Sequence, residues 1–148
     1  MNIYNVNHVG ETLQILYCST DCKINQDGIS ELKKLEEIHC GYNYRITDVN
    51  HLGKTLKKLD CRGSSCGIDQ NGISKLEIVE EIVCSNNSKI TNVNHLGETL
   101  KELDCSGKIC GIDQDGISKL KKLKIIYRGY NNKIKDISNF EIVMDINY

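Results

Sequence analysis

The chain has 148 residues, 39% hydrophobic and 26% charged, and its 19 basic and 20 acidic residues leave a formal net charge of −1. That length suits one domain able to bury a core of its own, and the mixed, near-neutral charge excludes the basic footprint of a nucleic-acid binder. The opening MNIYNVNHVGETLQ lacks a basic start and an apolar signal core, and no run approaches the ~20 apolar residues of a membrane span, so no membrane contact and a cytoplasmic location are expected.

In chain order, an aliphatic residue that opens an apolar pattern at positions 1, 4 and 6 recurs at Leu13, Leu35, Leu56, Val79, Leu100, Leu123 and Val143. Alternation between positions 4 and 6 is the period of a short strand with one buried side. Strands are therefore predicted near residues 14–18, 36–40, 57–61, 80–84, 101–105, 124–128 and 144–148. After each, the spacing changes to that of a loop with a turn of helix, as at Ile112, Ile117 and Leu120, and Gly28, Gly72 and Gly116 punctuate the return.

A longer period lies over the short one. HLGKTLKKLDCRGSSCGIDQNGISKL from His51 reappears from His95 as HLGETLKELDCSGKICGIDQDGISKL, and HVGETLQILYC from His8 is a third copy. Each 44-residue copy splits into two forms of one ~22-residue unit. One form has cysteine in its turn (Cys22, Cys66, Cys110) and the other has asparagine (Asn43, Asn87, Asn131). Such copies build a shared core by stacking.

The pattern LxxLxLxxN/CxL resembles the leucine-rich repeat family over nearly the whole chain. The resemblance implies an α/β leucine-rich repeat solenoid, with a curved parallel β-sheet on the concave side and loops or short helical turns on the convex side. It implies one domain over 1–148, of about seven units with the first and last incomplete. The doubled unit and the Ile, Asn and Lys bias look like the repeat proteins of giant DNA viruses infecting amoebae, which would place this chain in host cytoplasm. Several of those resemble F-box adaptors. Here Ile3, Val6 and Val9 align with Ile90, Val93 and Leu96, so the chain begins within a unit, and the substrate-recognition part of a ubiquitin-ligase adaptor lacking the F-box segment is the alternative function.

No residues assemble into a reaction motif, so a non-enzymatic module without cofactor or metal is expected. His8, His51 and His95 recur two units apart, about 10 Å in a sheet, whereas zinc ligands converge to about 2 Å from one ion. They read as loop histidines bonding locally. Cys18, Cys40, Cys61, Cys84 and Cys105 occupy position 6 of successive strands and read as a buried column of reduced thiols. Asn43, Asn87 and Asn131 read as structural amides that satisfy turn backbone. Arg128 breaks the column, and either an opening to solvent or an acid such as Asp145 is expected to compensate it.

The concave face would be made of Tyr17, Glu37, His39, Tyr42, Lys58, Asp60, Arg62, Glu81, Val83, Glu102, Asp104, Tyr127 and Tyr130. Tyrosine and arginine are frequent carriers of binding energy, and the acids between them favour a basic partner segment. Seven strands of about five residues define a patch of roughly 500 Å², enough for a peptide or one edge of a protein, which the viral resemblance would make a host protein. The terminal EIVMDINY, a strand with no polar cap after it, leads to an expected end-to-end homo-oligomer through residues 140–148.

Overall fold

A computed structural model describes residues 3–140 and the strand Met144–Ile146. Seven strands lie side by side in sequence order: β1 Ile15–Tyr17, β2 Glu37–His39, β3 Lys58–Asp60, β4 Glu81–Val83, β5 Glu102–Asp104, β6 Ile125–Tyr127 and β7 Met144–Ile146. Every neighbouring pair is parallel. Between strands the chain makes short 3-10 turns, at Asn7–Val9, Asp27–Ile29, Asn50–Leu52, Asn71–Ile73, Asn94–Leu96 and Asp115–Ile117. Among the described residues there is no α-helix, and none long and apolar enough to cross a membrane.

The middle residue of each of the strands β1–β6 points into the core. Leu16, Ile38, Leu59, Ile82, Leu103 and Ile126 stand opposite one another in register and are buried. Behind them run further columns, one aliphatic or thiol per coil: Cys18, Cys40, Cys61, Cys84 and Cys105, then Ile24, Ile46, Ile68, Ile90, Ile112 and Ile134. No single coil of about 22 residues could enclose these side chains. Stacked, each covers the next, at about 1.5–3 kcal/mol for every fully buried Leu or Ile.

Polar side chains join the coils where strands do not. The Asn43 Nδ2 donates to the Cys18 carbonyl at 2.8 Å, that of Asn87 to Cys61 at 2.9 Å and that of Asn131 to Cys105 at 2.8 Å. In the alternate units a thiol does the same: Cys66 Sγ donates to the Cys40 carbonyl at 3.7 Å and Cys110 Sγ to Cys84 at 3.6 Å. The strands are three residues long and not the five expected, and at their C-terminal ends the carbonyls of Cys18, Cys40, Cys61, Cys84 and Cys105 accept these side-chain bonds. The Asn assignments hold, and the cysteine column is buried as expected.

On the return path, two further amides clip one coil to the next. Gln70 Nε2 donates to the Asn92 carbonyl, while its Oε1 accepts the Thr91 and Asn92 N–H groups. Gln26 and Gln114 repeat the arrangement one period before and after. Asn50 and Asn94 bind the following turn in the same two-way manner. Gly28, Gly72 and Gly116 lie inside the 3-10 turns, with ordinary αR backbone around them, and a side chain there would meet the carbonyl oxygen of the preceding coil at 2.1–2.2 Å. Close approach, not chain reversal, requires glycine at these positions.

The recurrent histidines bond less locally than expected. His51 Nε2 meets the Ile29 carbonyl and His95 Nε2 the Ile73 carbonyl, both at 3.0 Å and 22 residues back. Arg128, half-buried, donates from Nη1 to the Ile134 carbonyl at 3.1 Å. The Asp145 side chain, and residues 141–143 and 147–148 of the expected end-to-end contact, lie outside the described residues.

Candidate functional site

Because only the middle residue of each of β1–β6 turns inward, the first and third turn outward, and the parallel register aligns them in two rows. One row reads Ile15, Glu37, Lys58, Glu81, Glu102, Ile125. The other reads Tyr17, His39, Asp60, Val83, Asp104, Tyr127. An all-parallel sheet is normally covered on both faces; here one face carries charged and aromatic residues, and no element among the described residues packs on it.

Three residues after each of β1–β6, the backbone enters the left-handed region: Thr20, Tyr42, Gly63, Asn86, Gly107 and Tyr130 have φ between +52° and +95°. Two of these are tyrosines, which pay a steric cost for that conformation. Tyr42 lies across Gly63, where a Cβ would sit 2.4 Å from its ring. Gly63 is thus fixed twice, by φ and by the ring above it. Tyr42 and Tyr130 extend the face beyond the strands, and both are exposed.

The first three strands form a self-contained cluster. The Tyr17 ring stacks on His39 with centroids 4.3 Å apart and planes 10° from parallel. Tyr17 remains 72% exposed, while the imidazole beneath keeps only 15% of its surface. Its Nδ1 is 3.8 Å from Asp60 Oδ2 and its Nε2 3.6 Å from Glu37 Oε2. Asp60 is 6% exposed, and Arg62 donates to it from Nε at 2.9 and 3.1 Å, from Nη2 at 2.8 Å and from its backbone N–H at 3.2 Å. That bond to Asp60 raises the Arg62 pKa. Asp60 sits in the predicted row, and its carboxylate is engaged by Arg62 of its own chain.

Over β4 and β5 the balance differs. Lys58 pairs with Glu81 at 2.8 Å, a hydrogen bond that raises the lysine pKa. Glu102, half-buried beside Glu81, has a raised pKa, first from burial and then from the Glu81 charge. Asp104 Oδ1 accepts from the Ser106 N–H at 3.0 Å and from its hydroxyl at 2.6 Å. Among the described residues, no lysine or arginine forms an ion pair with Glu102 or Asp104. Val83, Ile125 and Tyr127, all half-buried, flank these two acids.

The structure thus brings all thirteen predicted face residues onto one side or its margin. It divides them into a neutralised half, with Glu37, His39, Lys58, Asp60 and Arg62, and an acidic half, with Glu102 and Asp104. Pairing at that level was not legible from spacing, although the i, i+2 placement of Asp60 and Arg62 on one side of a strand was the available signal.

The thiols lie on the opposite side of the sheet, and all eight are free. Burial pushes Cys18 up to about 12 and holds Cys61 and Cys105 well above the ordinary thiol value. Hydrogen bonding to Cys66 raises Cys40, and the same contact lowers Cys66. Cys84 and Cys110 repeat this arrangement. Among the described residues, no group of three or more His, Cys, Asp or Glu side chains is placed to hold a metal ion. A hollow lies away from the sheet face, between His95, Glu98, Lys121 and Phe140, where a Glu98–Lys121 ion pair already satisfies both charges.

The chain matches no protein-family model and no curated protein.

Proposed function

We propose that this chain is a leucine-rich repeat module of viral type that binds a protein or peptide, without enzymatic chemistry, on the concave side of its sheet. The observation that carries the reading is a face of the all-parallel sheet that no described element covers, on which Tyr17, Tyr42 and Tyr130 stand exposed in rows fixed by the backbone. Tyrosine supplies a large contact area at small entropic cost, and the rows are rigid because each residue is held by a strand or a left-handed turn. The alternating ~22-residue units that supply these rows also support the family assignment.

The test places a photoreactive phenylalanine analogue at Tyr17 or Tyr127, and at Ser74 on the return path as a control. Irradiation in lysate of the native cell should give a discrete protein adduct from the sheet-face probes alone. Equal adducts from Ser74 would contradict the assignment of this face.

A further inference from the structure

Two independent features coincide over β4–β6. The first is a charge imbalance: Glu102 and Asp104 project from the same side of β5, about 6.6 Å apart along the strand at ~3.3 Å per residue, and among the described residues no cation lies at ion-pair distance from either, Lys58 and Arg62 acting on them only from farther away. Glu81, on the neighbouring strand, shares its only cation, Lys58, with no other acid at ion-pair distance. The second is an apolar and aromatic margin, in which Val83 and Tyr127 stand beside Asp104 in register, Ile125 stands beside Glu102, and Tyr130 is exposed just beyond.

An arginine side chain matches both features. Its planar guanidinium can donate to two carboxylates at once and stack on a tyrosine ring, whereas lysine offers a single point charge. The β1–β3 half offers neither opportunity, since Arg62 of this chain already fills Asp60 and His39 already stacks on Tyr17. Arg62 on Asp60 is an internal example of the contact a partner arginine would make on Glu102 and Asp104.

We infer that the β4–β6 part of the face docks an arginine-bearing segment of a partner protein, with Glu102 and Asp104 receiving the guanidinium and Tyr127 and Tyr130 flanking it. The inference rests on the sheet-face reading above. It assigns β1–β3 a supporting role and excludes polyanions, nucleic acids among them, as ligands of this face.

The test uses three fluorescein-labelled peptides of equal length, each with four repeats of Arg-Val, Gln-Val or Glu-Val. They are titrated by anisotropy into the full chain and mapped by backbone amide NMR shifts. Arg-Val is expected to move amides of β4–β6 and to bind at least tenfold more tightly than Gln-Val or Glu-Val. Its affinity should fall as sodium chloride rises from about 50 to 300 mM. E102Q should weaken it at least threefold and E102Q/D104N at least tenfold, with E11Q, on an exposed return-path acid, unchanged within twofold. E102Q removes no hydrogen bond within the described chain, so it keeps the test valid if D104N alters folding. If Gln-Val binds the same amides equally well, the arginine inference falls while the sheet-face reading stands. If no peptide moves any sheet-face amide, the arginine inference falls and the sheet-face reading loses its support as well.

Discussion

Asn87 reaches back 26 residues to donate its side-chain amide to the Cys61 carbonyl at 2.9 Å, and in the next unit Cys110 makes the same bridge to Cys84 with a thiol. The two side chains solve one problem with different strength. Asn87 also donates to the Ile68 carbonyl at 3.2 Å and accepts the Lys89 N–H at 3.0 Å, whereas the thiol is a weak donor. Asn87→Ala is expected to destabilise the fold by about 1–3 kcal/mol, the cost of buried backbone groups left unpaired. Asn87→Cys should cost less, and urea unfolding midpoints compare the two.

Arg62 and Asp60 allow a second test. Removing the arginine leaves a carboxylate that is 6% exposed without its three guanidinium contacts. Arg62→Ala should lower stability by about 1–3 kcal/mol. Lys58→Ala, whose partner Glu81 is better solvated, should cost less than 1 kcal/mol. Chemical denaturation of both variants checks the order.

The thiols should react in two classes. A thiolate is the reactive form; burial holds Cys18 at about 12 and raises Cys61 and Cys105, while hydrogen bonding to Cys66 and Cys110, with burial, raises Cys40 and Cys84. Cys66 and Cys110 ionise more readily but are enclosed by the same core. Cys22, half-buried at the first coil, is the one accessible group. A chromogenic disulfide at neutral pH should therefore label one thiol quickly, and all eight only after denaturation.

His95 makes stability depend on pH. Burial lowers its pKa below the ordinary 6.5, so as pH falls through that value the unfolded chain takes up a proton that the folded chain resists. Stability is thus complete above about 6.5 and declines below it. His95→Gln should flatten that decline, measured as the difference in Tm between pH 7.5 and pH 5.

Glu102 works in the opposite sense. Its raised pKa means that the folded chain disfavours the carboxylate, a penalty in full force once pH exceeds the folded value and absent in strong acid. Glu102→Gln should raise the Tm at pH 7 and leave it unchanged near pH 3. A residue that lowers stability while giving the face its charge fits a binding role.

The strand centres, the thiol column and the turn asparagines were legible because a one-sided strand imposes its period on neighbouring residues. Gln26, Gln70 and Gln114, and Asn50 and Asn94, were not singled out, although they recur just as regularly. Their partners are backbone groups 21–25 residues away, and nothing local marks a loop amide as a clip between coils. The same distance hid the histidine bonds to Ile29 and Ile73. On the face, spacing named the residues, but the burial of Asp60 and the unmatched charge of Glu102 depend on side-chain packing that no repeat pattern encodes.

The central claim is that the outward sheet face binds a protein. Its most direct test is the affinity of a partner identified by cross-linking for the intact chain, for Tyr127→Ala and Glu102→Gln on the face, and for Lys75→Ala and Lys119→Ala on the return path. The face variants are expected to bind at least tenfold more weakly, with both return-path variants within twofold of the unaltered chain. Equal affinity across all four variants, or a loss confined to the return path, would contradict it.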